Sequence, residues 1–217
     1  MQQCPNAHLA PKLPDSVKGA VSAVSRVTNK ALNAIGINSE KLDFFGHSKV
    51  HPASEAYFAQ TPLRYGDYVA KLGVFPSSPG LKEMEGKELD LTVPDALREL
   101  MNDYFRTHDA EFTIAVQLNT GADDMPIEDA QAKWSEELSP YRVVARLTLP
   151  VQTAFDPAKE AFFEDLSFSP AHSLAAHQPL GGINRARLVV YKTLADHRLS
   201  ENGNATHEPT TATVVPA

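Results

Sequence analysis

The chain has 217 residues, 42% of them hydrophobic and 22% charged, which is ordinary for a soluble globular domain with a core of useful size. A net charge of −7 without a basic cluster leaves nucleic-acid binding no electrostatic footprint. The single cysteine, Cys4, excludes an internal disulfide and a multi-cysteine zinc site, and no run approaches the roughly 18 apolar residues of a membrane span.

Residues 1–14 read as a disordered leader without the apolar core of a signal peptide, so the expected location is cytoplasmic. Asp15 or Ser16 can cap a helix over 16–35, where Val17, Ala20, Val21, Val24, Val27, Ala31 and Ile35 fall at helical spacing and Gly36 marks the end. It is rich in small and β-branched residues, so docking on a partner surface must supply much of its stability. Residues 38–66 look mostly irregular. Tyr68–Phe75 alternates as a strand ended by Pro76, and Leu97, Leu100, Met101 and Tyr104 follow a Thr92-Val93-Pro94 helix start.

Residues 111–119 and 141–149 read as two more strands, the second closed by Pro150. A short helix is expected over 157–163, and a longer one over Asn184–His197 after the loop-rich stretch FSPAHSLAAHQPLGG. Residues 200–217 have the composition of a disordered tail. Three strands cannot close a barrel by themselves.

Several side chains invite chemistry that their spacing does not support. His47 and His51 are four apart, but Ser48-Lys49-Val50 and Pro52 do not favour a helix, so a loop surface is expected there rather than a metal pair. The acidic run Asp123, Asp124, Glu128 and Asp129 lacks EF-hand spacing and reads as a solvated turn. Trp134 reads as core. His172 and His177 lie in the loop before the last helix, where ordinary hydrogen-bonded loop histidines compete with a role at the edge of a site. His197 reads as solvent-facing.

Arg187 and Tyr191 are different. At i and i+4 on a helix, side chains lie about 5–6 Å apart, so the guanidinium can reach the phenol oxygen. A cation beside a phenol favours the phenolate, a hard anionic donor suited to ferric iron. Arg198 follows seven residues later, near the same helical face, where it can meet a carboxylate. The bare R-x-x-x-Y spacing is usually a surface pair, and its neighbours change that reading.

Val116-Gln117, Ile127-Glu128-Asp129, Trp134, the strand over 141–149, Phe168-Ser169-Pro170 and Arg187…Tyr191 occur in an order that resembles the haem catalases, most of all their shorter bacterial catalase-like branch. The resemblance is weak from about residue 55 and strong over 112–198. It implies an α+β fold, a partial antiparallel β-barrel with peripheral helices, over a truncated catalase-like domain at 15–199. It also implies b-type haem as cofactor, Tyr191 as the proximal iron ligand, Arg187 as its charge partner and Arg198 as a propionate contact. Family members follow the tyrosine with a short Asp-Thr, of which Lys192-Thr193 retains only the threonine, one place early.

Nothing before Tyr57 resembles the family's distal half with its histidine and asparagine. Loss of that acid–base shuttle is worth about a hundred- to ten-thousand-fold in rate, so the isolated chain is expected to be inactive or weak. Hydrogen peroxide or an organic peroxide would be the substrate of an active assembly, and the expected partner is a second copy or a distal-half chain. Two readings remain open: a haem protein related to peroxide-decomposing oxidoreductases, or a haem-free remnant of that fold serving as a binding or assembly module.

Overall fold

The computed structural model describes Val24 and residues 49–121, 123–164 and 166–204. Of the expected helix over 16–35 only Val24 is among them, helical and exposed; the rest of that segment, His47 and residues 205–217 lie outside the described residues. Lys49, Val50 and Gly86–Leu91 belong to one structural unit, in which the Leu89 N–H donates to the Lys49 carbonyl at 2.7 Å. Everything below concerns the other unit.

Its centre is an antiparallel sheet whose three long strands fall where the alternation of the sequence puts them. They are β3 (Tyr68–Pro76), β4 (Ala110–Leu118) and β5 (Arg142–Leu149). β3 pairs with β4 from Ala70 opposite Leu118 to Pro76 opposite Phe112, and β4 pairs with β5 from Ala110 opposite Leu149. Ile114 faces Ala145 and Ala115 faces Val143, so Val144 is an extra, bulged residue in β5. Two short strands lie in the stretch expected to be mostly irregular: β1 (Tyr57–Phe58) and β2 (Leu63–Tyr65), both paired with β3. Gly66, at φ 63°, supplies the left-handed position that a two-residue turn between β2 and β3 requires. The order β1-β3-β4-β5, with β2 also beside β3, is an open sheet; β5 has a neighbour on one side only among the described residues.

Two helices cover one end of the sheet. In α1 (Pro79–Met84) and α2 (Ala96–Phe105), Leu81 and Phe105 are buried against Ala53, Ala110 and Phe112, with Val74, Met101, Tyr104 and Leu149 around them. Burial of an aromatic or leucine side chain of this kind contributes about 1.5–3 kcal/mol each. α2 begins three residues after the expected Val93, because Asp95 takes a left-handed conformation at φ 60° and the helix can start only beyond it. Buried Asn102 accepts the Phe155 N–H at 2.7 Å and so fixes the chain leaving β5. α3 (Pro157–Glu164) starts where Asp156 Oδ1 accepts the N–H groups of Ala158 and Lys159.

His51 overturns one expectation. It is not on a loop surface: the residue is 3% exposed, and its Nδ1 accepts the Ala53 N–H at 3.2 Å at the start of a 3₁₀ turn over Pro52–Ser54. A backbone N–H can only donate, so Nδ1 carries no proton and Nε2–H faces the Leu100 carbonyl at 3.4 Å. Burial holds this imidazole below its usual value of about 6.5. The unfolded chain therefore binds the proton more tightly, and the stability present above about pH 6.5 is lost as pH falls towards the folded value. The expected result is a melting temperature that declines below pH 6.5 in the native chain and declines less steeply in His51→Asn. Parallel pH profiles for the two proteins would contradict the assignment.

Candidate functional site

The last helix, α4 (Gly182–Glu201), is longer at both ends than the expected Asn184–His197 and runs two residues into the segment read as tail. Its start is stitched to the strand region at 62–66. The Arg64 N–H donates to the Gln178 carbonyl at 2.8 Å, the Gly66 N–H to Ala176 at 2.9 Å and the Leu180 N–H to Pro62 at 3.0 Å. Gly181 then turns the chain at φ 87°, ψ 161°, with the Ile127 carbonyl oxygen 2.7 Å from where a Cβ would stand. Beside it, Glu128 takes both guanidinium nitrogens of Arg185 at 3.0 and 2.8 Å. That hydrogen bonding holds the Glu128 carboxyl below the usual range, with the Gly182 N–H contributing as well. Both side chains are largely exposed, so salt will screen the pair.

Ile127 and Glu128 are themselves held by the residues that carried the sequence resemblance. The Gln117 amide donates to the carbonyls of Trp134 at 3.2 Å and Ser139 at 3.0 Å. Trp134, 2% exposed, donates from its indole to the Pro126 carbonyl at 3.3 Å. The Lys71 ammonium caps the Ala132 carbonyl at 3.0 Å and lies 4.9 Å above the Trp134 ring; burial lowers its pKa. Trp134 is thus core, and the β4 glutamine anchors the loop on which α4 begins.

On α4 the structure brings Arg187 and Tyr191 together. Arg187 Nη2 donates to the Tyr191 phenol oxygen at 3.3 Å, and the guanidinium carbon sits 4.9 Å from the ring centre. Arg187 Nη1 donates to Asn184 Oδ1 at 3.0 Å. Asn184 was not singled out in the sequence, although it stands one helical turn before Arg187. Around the phenol the helix is bare: Val190 is 48% and Leu194 61% exposed, and Tyr191 itself is 38% exposed. Arg187, Val190, Tyr191 and Leu194 lie along one stripe by helical spacing.

Arg198 is placed differently. It is partly buried, its Nη2 donates to the Leu166 carbonyl, and its Nε is the one buried side-chain nitrogen or oxygen without a partner among the described residues. His177 stacks on Tyr65 with ring centres 5.8 Å apart, which accounts for it as a loop histidine. Lys192 pairs with Asp196 at 2.6 Å.

The fold that presents this helix is catalase-like. No protein-family model and no curated protein matches the sequence. Among solved structures the chain is similar to a fungal catalase, with a TM-score of 0.54 and 16% identity over 70% of this chain and 32% of that one. Catalase A from Saccharomyces cerevisiae is similar at a TM-score of 0.50 and 16% identity, over 70% of this chain and 33% of that one. A bacterial catalase is similar at 0.52 and 12% identity, over 92% of this chain and 42% of that one. At such identities the likeness shows the fold alone, and the chain spans less than half the length of each of these catalases.

The α4 stripe fits a haem group in its donor set and its surface. A phenol with a guanidinium on its oxygen is an oxygen donor for ferric iron, and exposed Val190 and Leu194 offer apolar cover for a flat macrocycle.

Proposed function

We propose that the chain binds b-type haem on the outer stripe of α4, with Tyr191 as the iron ligand and Arg187 as its charge partner. The observation that carries this reading is the Arg187–Tyr191 contact on an exposed apolar stripe of a catalase-like fold. Arg198 is assigned to a propionate on the resemblance alone: its Nη2 is bonded to the Leu166 carbonyl and its Nε is buried, so the contact would require the guanidinium to turn outward. Haem, when bound, supplies redox chemistry towards hydrogen peroxide or an organic peroxide. The chain's own part is to hold Tyr191 against Arg187 and to keep water from the macrocycle's apolar face with Val190 and Leu194. Turnover is assigned to an assembly in which another chain or a further segment provides the distal acid–base group.

Titration of the purified protein with haemin tests this. A Soret band that saturates at one equivalent supports it, and a colourless protein that leaves haemin free favours the haem-free binding or assembly module instead. In Arg187→Ala the affinity should fall roughly tenfold or more, since a hydrogen bond to a charged group contributes about 1.5–3 kcal/mol. Unchanged affinity would mean that Arg187 only packs.

The open sheet is read as part of a barrel, and β5 as the seat of a further strand from a second copy or a distal-half chain. Val143, Val144 and Leu147 are exposed along it, and an unpaired edge recruits a neighbour. Light scattering should show a mass that rises with concentration; a strict monomer across the range with a sharp cooperative melt would refute this assembly.

A further inference from the structure

We infer that Asn184 is a positioning residue that aims Arg187 at Tyr191; the consequence for iron rests on the reading of Tyr191 given above, whereas the coupling itself does not. Asn184 is 3% exposed, and its amide uses its full bonding capacity. Oδ1 accepts from Thr61 Oγ1 at 3.2 Å and from Arg187 Nη1 at 3.0 Å. Nδ2 donates to the carbonyls of Pro62 at 3.2 Å and Leu180 at 2.8 Å. The amide can sit only this way round, because a guanidinium offers no acceptor and a backbone carbonyl no donor. Three fixed partners therefore set the direction of Oδ1, and Oδ1 sets the guanidinium.

The geometry divides the work of that guanidinium. Nη1 is committed to the buried amide, which leaves Nη2 for the phenol oxygen at 3.3 Å. An arginine on a half-exposed helix stripe would otherwise spread over many rotamers, and its charge would reach the phenol only part of the time. The holding group comes from elsewhere in the chain: Thr61 and Pro62 precede β2, 123 and 122 positions before Asn184. Arg187 is thus aimed at Tyr191 from the sheet side of the molecule, through an amide that does not touch the phenol.

The test reads Tyr191 in haem-free protein, so its failure and the failure of haem ligation are separate results. Tyrosine is isotope-labelled at the phenol carbon Cζ, and the Tyr191 resonance is identified by its absence in Tyr191→Phe. Arg187→Ala should displace this resonance in the native background and in Asn184→Asp, which keeps an acceptor at the position. Asn184→Leu keeps the bulk and removes the acceptor. It should reproduce most of the displacement, and adding Arg187→Ala to it should move the signal no further. Additive displacements, or a Leu variant with the native resonance, would overturn the proposal. If Asn184→Leu does not fold, the native protein decides through Arg187. A guanidinium held at both ends gives resolved, slowly exchanging Nη1 and Nη2 signals, and one averaged signal from free rotation would overturn it equally.

Discussion

Tyr191→Phe is expected to lose haemin while keeping its fold. The substitution removes one oxygen and leaves the ring that lies against the Arg187 guanidinium. Nothing in the core depends on that oxygen: the residue is 38% exposed, and the Arg187 contact is made on the outer stripe of α4. Removing outer partners of a metal ligand commonly costs about 10–100-fold in affinity, so removing the ligand atom itself should cost roughly a hundredfold or more. Haemin titrations of the two proteins, with circular dichroism to confirm equal helix content, measure this directly. Equal affinity and an unchanged spectrum would mean that haem, if bound, is held elsewhere.

Gly181→Ala is expected to be the most destabilising single change near the site. At φ 87°, ψ 161° the residue occupies a region that is almost glycine-only, with a cost of about 1–3 kcal/mol for any other residue. The added methyl would also stand 2.7 Å from the Ile127 carbonyl oxygen, a backbone atom held through the loop that Gln117 and Trp134 anchor. Forced overpacking of this kind adds about 1–3 kcal/mol. For a chain of this size each kcal/mol corresponds to roughly 2–4 °C, so the melting temperature should fall by about 10 °C. Gly121→Ala is the control, because a Cβ there meets nothing within 4 Å and the backbone is not left-handed. Similar melts for the two variants would show that the Gly181 turn relaxes at little cost.

Much of this architecture is legible in the chain because its long elements repeat. β3, β4 and β5 carry alternation over eight or nine residues and stop at proline or a polar turn, and α4 carries helical spacing over five turns. β1 and β2 are two and three residues long, too short for any period, and their strand character comes from β3 alongside. The Tyr65-Gly66-Asp67-Tyr68 turn was the available signal for the second of them. α1 is only six residues long, from Pro79 to Met84, and shows no readable period for the same reason of length. His51 escaped because its burial is decided by Leu100 and Tyr104, about a quarter of the chain away. At the site, Arg187 and Tyr191 touch across a single helical turn and so can be read locally. Asn184 could be placed on their helix, but its other partners, Thr61 and Pro62, are visible only in three dimensions.

Resonance Raman spectroscopy of the haemin complex reads iron ligation by Tyr191 on α4. Excitation into a phenolate-to-iron charge-transfer band should enhance tyrosinate ring modes in the native protein, and those modes should be absent from Tyr191→Phe at matched haem loading. A native complex without tyrosinate modes, or one whose modes survive in Tyr191→Phe, would contradict the assignment.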